Sequence, residues 1–340
     1  MKNLSKLGIV MLAAAAALTS CSSNDVAENL NSGNSETLTF TAALPSSLLT
    51  RADGSSITFG DGTKATSLYY AVYSTYNDKD SLILTNYGKS GDAAYKEDVV
   101  NFTNLTASVS FKLPIGHTYK FAFWAQSPNV DCYTFDPSNA TISVDYTKTL
   151  CNNEEEDAFY ASAELLFGYN TTNQTITLKR PFAQLNLGIT DFNEAAALGL
   201  DMEKSHISIG YVPNTLHLLT GVADGLTMQA NWDYNTVPAK QTNAGAFPGV
   251  YNGKSVDAEY AAMVYVLAND KQTFAVQFNY TDGTGEILDL HDVHSIDNVP
   301  LQSNHRTNLF GELMLEEQTW SLNISPDFDL EDFNDSFSIH

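Results

Sequence analysis

Large apolar side chains recur at every second position along most of this chain. In the run Leu38, Phe40, Ala42, polar threonines fill the positions between them. A side-chain period of two indicates a strand with one buried and one solvated face. The same pattern predicts further strands over residues 68–72, 109–113, 119–125, 176–178, 182–189, 262–266, 274–280, 309–313 and 320–324.

Turn-forming residues separate these runs, and helical periodicity is rare. Typical turn segments are 60–62 (GDG), 114–116 (PIG), 136–138 (DPS) and 282–285 (DGTG). Short helices are predicted at two places, one opening at Asp191 and one over residues 158–165. Many short strands without helices between them predict an all-β fold of antiparallel β-sandwiches with minor short helices.

The length of the chain predicts two domains. Its 340 residues exceed the usual size of a single domain. The polar stretch 170–174 lies between two strand-rich halves, so the predicted domains are residues 37–172 and 173–340.

The first residues have the pattern of a secretory signal peptide. Lys2 and Lys6 precede the apolar run 7–18, and small residues follow it at Thr19 and Ser20. The run is too short to span a bilayer, which takes roughly 20 residues. Residues 1–20 are therefore predicted to be cleaved from the exported protein.

Residues 18–21 (LTSC) resemble a bacterial lipobox, in which the cysteine is acylated and becomes the new N-terminus. Acyl chains on Cys21 would anchor the protein firmly to the outer membrane, exposed at the cell surface. The alternative is an ordinary signal peptide followed by a chance cysteine. Residues 21–36 are polar and predict a flexible tether.

The chain is strongly acidic. It carries 17 basic and 40 acidic residues, and loss of the leader with Lys2 and Lys6 lowers the formal charge further. Nucleic acids are bound mainly through lysine and arginine, so a nucleic-acid partner is not expected.

Two cysteines remain after the lipobox. Cys132 and Cys151 would reside in a compartment that allows disulfides, where a bond between them would close a short loop. The sequence leaves open whether they form this disulfide or remain two buried free thiols.

No motif for catalysis stands out. The chain lacks a Gly-x-Ser-x-Gly elbow, a phosphate-binding glycine loop and a His-Glu-x-x-His helix. His291, Asp292 and His294, with Asp297, are the densest set of ligand-type side chains, but on a strand the two histidines would face opposite sides. The acidic residues of the segment 327–335 lack the glycine-centred spacing of an EF-hand loop and predict a solvated tail. The sequence predicts no enzyme activity, metal or cofactor. The run 154–157 (EEED) predicts an exposed loop.

Three pieces of the chain, in the right order, resemble the fimbrillin family, the lipoprotein subunits of type V pili and their fimbrillin-like surface relatives. After the lipobox come the strand 38–42 (LTFTA) and the segment 48–52 (LLTRA). Residues 177–187 (TLKRPFAQLNL) resemble the strand that opens the second domain in this family. Residues 298–313 (NVPLQSNHRTNLFGEL) resemble the family's strand, turn and strand before the C-terminal strand.

This resemblance implies two tandem transthyretin-like β-sandwich domains and a way to polymerise. In fimbrial members an arginine-specific protease removes the N-terminal segment, and Arg51 matches that arginine, so the cut would fall between Arg51 and Ala52. Leu38, Phe40 and Ala42 would line the removed first strand, and a strand from another subunit would replace it. Anchor-type relatives are not cleaved.

The sequence thus predicts a structural or adhesive subunit of a type V-like fimbrium, exported as a lipoprotein. Its partners would be other fimbrial subunits, outer-membrane lipid and, for adhesion, a surface glycan or protein. The alternative is a monomeric glycan- or ligand-binding surface lipoprotein, in which exposed tyrosines would stack on sugar rings.

Overall fold

The computed structural model describes residues 34–45, 62–77, 79–88, 94–95, 99–199, 204–234, 247–251, 254–281, 294–312, 315 and 320–325. Strands dominate these residues, together with the short helix α1 (Phe192–Ala197) and a 3-10 helix (Glu154–Glu156). The strands are β1 Ser35–Ala43, β2 Ser67–Tyr76, β3 Lys79–Thr85, β4 Val100–Asn101, β5 Thr106–Pro114, β6 His117–Gln126, β7 Tyr133–Asp136, β8 Thr141–Val144, β9 Phe159–Phe167, β10 Gln174–Thr177, β11 Phe182–Ile189, β12 Lys204–Val212, β13 Thr215–His217, β14 Val222–Asp224, β15 Thr227–Tyr234, β16 Phe247–Tyr251, β17 Lys254–Leu267, β18 Gln272–Thr281, β19 His294–Leu301, β20 Arg306–Gly311 and β21 Trp320–Ser325.

The first sandwich packs a three-stranded sheet on a larger one. The small sheet has the order β10-β1-β5, and the facing sheet has the order β3-β2-β6-β9 with β4 paired to β2. Their inward side chains form one hydrophobic cluster that extends from Leu38 to Leu178. Alternation of buried and exposed residues, clearest in β5, gives each strand one face for this core.

The second sandwich pairs a five-stranded sheet with a four-stranded one. The orders are β16-β17-β11-β20-β21 and β15-β12-β18-β19. All eight residues of β11 are buried, because this strand lies between β17 and β20 and is covered on both faces. Leu185, Ile207, Val276 and Phe278 contribute to its core.

A further sheet joins strands from both halves of the chain. Its order is β14-β13-β8-β7, and Leu216 of β13 lies opposite Ile142 of β8. The halves are therefore connected by backbone hydrogen bonds as well as by the chain itself. The boundary between residues 172 and 173 stays a prediction.

The predicted all-β sandwich class is confirmed, as are most of the predicted strands. The helix predicted to open at Asp191 is present as α1, although the Asp191 carboxylate does not cap it and instead accepts a hydrogen bond from the Leu315 amide at 2.8 Å. The helix predicted over 158–165 is wrong: this segment is β9, because it pairs along its length with β6. None of the helices in the ranges given above is long and apolar enough to cross a bilayer.

Candidate functional site

The N-terminal strand β1 is the central strand of its sheet. It pairs antiparallel with β5 from Ser35, opposite Pro114, to Ala43, opposite Thr106. On its other side it pairs in parallel with β10 from Phe40 onward. The strand therefore forms backbone hydrogen bonds with two neighbours. Each neighbour relies on β1 to pair the amides and carbonyls along one of its sides.

The inward face of β1 is fully buried. Leu38, Phe40 and Ala42 have exposed fractions of 0%, 1% and 0%. The Phe40 ring centroid lies 4.5 Å from that of Phe121 and 5.2 Å from that of Phe123. The three side chains that the sequence places on the first strand thus lie in the core of the sandwich, and their role in a removable strand stays a prediction.

The outward face of β1 is held by short polar contacts. The Thr39 hydroxyl lies 2.8 Å from that of Ser110, and the Thr41 hydroxyl lies 3.3 Å from that of Ser108. The Thr39 amide also donates to Asn173 Oδ1 at 3.3 Å. This face is partly solvated, so water can replace the hydrogen bonds that are lost when the strand leaves. Water cannot replace the apolar contacts of the inward face in this way.

Backbone hydrogen bonds fix both ends of the strand. The Ile115 amide donates to the Asn34 carbonyl at 3.1 Å, and the Leu178 amide donates to the Ala43 carbonyl at 2.8 Å. Removal of β1 would leave β5 and β10 with unpaired amides on either side of an apolar trough. Such an edge favours pairing with another extended segment.

The proposed lipidation and cleavage residues, Cys21, Arg51 and Ala52, lie outside the described residues, as do His291, Asp292 and the acidic segment 327–335. Arg51 follows the end of β1 in the sequence, so the whole strand precedes the Arg51–Ala52 bond.

Cys132 and Cys151 are both buried and are not joined by a disulfide in the structure, and their pairing in the exported protein stays a prediction. Burial raises the pKa of the Cys132 thiol to about 12, so it is protonated at neutral pH and a poor nucleophile. The Cys151 thiol lies 3.8 Å from the Trp232 carbonyl.

A buried ion pair forms a second cluster, which the sequence does not predict. Arg180 and Asp157 are 1% exposed in their side chains, with Nε 2.5 Å from Oδ1 and Nη2 2.7 Å from Oδ2. The guanidinium also lies over the Phe159 ring, 4.7 Å from its centroid. The prediction of an exposed loop at 154–157 is wrong for Glu156 and Asp157, because a buried arginine and local amides provide their partners.

The Glu156 carboxyl is buried beside this pair. Its Oε1 accepts hydrogen bonds from the Leu150 amide at 2.7 Å and from Asn153 Nδ2 at 3.0 Å. Burial nevertheless dominates and raises its pKa from the ordinary 4.5 to about 7. The folded protein therefore holds this proton more tightly than the unfolded chain.

Replacing Glu156 with glutamine should stabilise the protein at pH 8. Because the folded pKa is raised, the favourable contribution of the protonated group is complete below pH 4.5 and is lost as the pH rises to about 7. Glutamine stays neutral and keeps an acceptor oxygen, so we expect a gain of roughly 1–3 kcal/mol at pH 8 and little change at pH 4. Urea unfolding at both pH values measures this difference.

Glu155→Gln is the matched control, for which we expect the opposite dependence of stability on pH. A hydrogen bond from Ser127 holds the pKa of Glu155 below its usual range, so its contribution is present at neutral pH and lost in acid. If the stability of both variants changed with pH in the same way, the raised pKa assigned to Glu156 would be contradicted.

The C-terminal strand β21 is docked at the edge of its sheet. It pairs antiparallel with β20 from Trp320, opposite Gly311, to Ser325, opposite Arg306. Among the described strands β21 pairs with β20 alone, so it can detach with fewer broken hydrogen bonds than a strand with two partners such as β1.

The comparisons with known proteins place the chain in a family without an assigned function. The model described as "Family of unknown function (DUF6562)" matches residues 30–339. None of the curated proteins matches. Similar solved structures include a fimbrial assembly protein from Parabacteroides distasonis, at 12% identity and a TM-score of 0.42, covering 86% of this chain and 98% of that one. Another is the C-terminally truncated tip fimbrial protein Mfa3 from Porphyromonas gingivalis, at 11% identity and a TM-score of 0.41, covering 85% and 99%.

Proposed function

We propose that this chain, which belongs to the DUF6562 family, is an adhesive or structural subunit of a fimbrial-type surface assembly. In this proposal it is exported as a lipoprotein on Cys21 and polymerises by strand exchange after cleavage at Arg51. The observation that supports it best is the position of β1, which is central in its sheet, fully buried on one face and wholly N-terminal to the candidate cleavage site.

Cleavage after Arg51 would turn β1 into a separate peptide held only by noncovalent contacts. A donor strand from another subunit could then replace it, provided that it offers apolar side chains at three alternate positions like those of Leu38, Phe40 and Ala42. The backbones of β5 and β10 would supply the hydrogen bonds on both sides. This is β-augmentation, in which backbone pairing gives affinity and alternate pockets give register.

The distribution of arginines makes this cleavage selective. The chain's arginines are Arg51, Arg180 and Arg306. Arg180 is buried in its ion pair, and Arg306 lies within β20, paired to strands on both sides. A protease must bind its substrate as an extended, accessible segment, so these two sites are protected while the protein is folded.

An arginine-specific protease should therefore cut the folded protein at one place and trigger assembly. We expect N-terminal sequencing to read from Ala52, and electrophoresis to show SDS-resistant ladders after cleavage. Arg51→Lys should abolish both the cut and the ladders, because lysine keeps the charge but is not recognised by the protease. Arg306→Lys is the matched control and should assemble normally.

Two results would contradict the proposal. Assembled material that retains the acylated Cys21 would show that β1 is not released. Protein that is cut after Arg51 yet stays monomeric would instead favour the ligand-binding lipoprotein.

A further inference from the structure

A polar cleft of about 500 Å³ opens where the second sandwich meets the sheet that joins the two halves. On one side lie Gln229 and Asn231 of β15. On the other lie Thr134 of β7 and Ser143 of β8, and Asp145 and Asn214 also line the cleft. The cleft is thus built by strands from both halves of the chain.

Strand geometry points the amides of β15 into this cleft. Ala230 and Trp232 are buried, so the alternate residues Gln229 and Asn231 project to the outer face, where they are exposed. Neither side chain forms a hydrogen bond with any group in the described ranges, and the same holds for Thr134 and Ser143. Each of these four side chains can both donate and accept a hydrogen bond.

The most buried part of the lining is largely apolar. Val144 and Tyr146 line it, with exposed fractions of 6% and 4%. The Tyr146 hydroxyl is already used, since it donates to the Pro213 carbonyl at 3.0 Å and accepts from the Leu267 amide at 3.0 Å. The cleft therefore offers hydroxyls and amides around a small apolar area.

The electrostatics of the cleft disfavour an anionic ligand. Hydrogen bonds from Thr147 lower the pKa of Asp145, which keeps this carboxylate ionised. The nearby Lys148 ammonium lies 4.0 Å from Asp145 Oδ2 and 3.7 Å from Asp131 Oδ2, so its charge is balanced by carboxylates. A ligand with its own negative charges would meet no unbalanced cation here.

Polar side chains continue across the sheet beyond the cleft, where Asn231, Gln277 and Ser295 are exposed and Ser208 between them is buried, with an exposed fraction of 3%. Asn231 lies opposite Ser208 on β12, Ser208 lies opposite Gln277 on β18, and Gln277 lies opposite Ser295 on β19. The Ser208 hydroxyl donates to Gln277 Oε1 at 3.2 Å. With a strand spacing of about 4.8 Å, this row of amides and hydroxyls is roughly 14 Å long.

We propose that the cleft and this row bind a neutral oligosaccharide. A sugar has hydroxyl groups that both donate and accept hydrogen bonds around rings with apolar faces, and it carries no charge. Asp145 is an acceptor for sugar hydroxyls, while Gln229 and Asn231 pair with adjacent hydroxyls through both atoms of their amides. The inference deepens the proposed function, on whose adhesive role it rests, by naming the class of ligand to which the subunit adheres.

The test uses the uncleaved Arg51→Lys chain, so that binding is measured on a protein that does not assemble. A panel of neutral hexasaccharides built from mannose, glucose or galactose is compared with hexagalacturonic acid by isothermal titration calorimetry. We expect binding to at least one neutral hexasaccharide and none to the acidic one. Gln229→Ala and Asn231→Ala should each weaken binding about three- to tenfold, because each loses about one net hydrogen bond.

Gln272→Ala is the matched control, since Gln272 is an exposed amide on β18 outside the cleft. It should bind as the parent does. Absence of binding to every neutral sugar, unchanged affinity in the Gln229→Ala/Asn231→Ala double variant, or preference for hexagalacturonic acid would each overturn the proposal. Because ladder formation is not part of the readout, failure here is distinguishable from failure of the assembly model.

Discussion

Replacing Phe40 with alanine should lower the free energy of unfolding of the uncleaved protein by about 3–5 kcal/mol. The Phe40 ring is 1% exposed and packs between Phe121, Phe123 and Phe111, whose ring centroids lie within 6.3 Å of its own. Alanine would leave a cavity among three aromatic rings that are fixed on two different sheets. Because these rings are held by their own strands, they cannot collapse fully into the space.

Guanidinium chloride unfolding measures this loss, and Thr41→Ala is the matched control on the same strand. Thr41 projects to the outer face, where its hydroxyl lies 3.3 Å from that of Ser108, so its removal should cost no more than about 1 kcal/mol. A Phe40→Ala protein as stable as the Thr41→Ala protein would mean that β1 does not complete the core.

Removal of the Asp157 carboxylate should also lower the free energy of unfolding by about 3–5 kcal/mol. The reason differs from that for Phe40. Asp157→Ala would remove the carboxylate that binds the buried Arg180 guanidinium through two hydrogen bonds, and would leave the Phe159 ring and the more distant charge of Glu154 as weaker compensation. The loss therefore comes mainly from the desolvated cation that remains rather than from the attraction that disappears.

A double-mutant cycle separates these two contributions. Asp157→Leu combined with Arg180→Met replaces both charges by apolar side chains, and we expect this double variant to be more stable than Asp157→Leu alone. Unfolding midpoints at several salt concentrations provide the measurement. If the effects of the single variants simply added, the two groups would not be coupled.

The strands could be predicted from the sequence because their signal is local. Residues 109–113 alternate in the sequence as they do in β5, and the turn expected before Arg306 is present, with Asn304 at a φ of +60°. A two-residue period directly reflects one buried face. The helix predicted over residues 158–165 was wrong because the alanines and the glutamate of this segment favour a helix locally, whereas pairing with β6 determines its structure.

Features that depend on distant partners could not be predicted. Asp157 lies in an acidic run that is typical of an exposed loop, and nothing in that run indicates that Arg180 will be buried against it. The cleft could not be predicted for the same reason. Ser143 and Asn231 lie far apart in the sequence and are brought to one cleft by the sheet that joins β8 to β13. Sequence periodicity indicates which residues face outward, but it does not indicate which outward faces meet.

The central place of β1 also determines the order in which the first sandwich can form. During synthesis and export β1 emerges first, yet its partners β5 and β10 follow much later, and Thr39 and Asn173 are 134 residues apart. Contacts of such long range make folding slow, because a large loop must close before they form. β1, the first of the described strands along the chain, is therefore among the last to pair with its neighbours. Until then its future neighbours present open edges, so a kinetic window exists in which an extended segment from another molecule can compete for the same place.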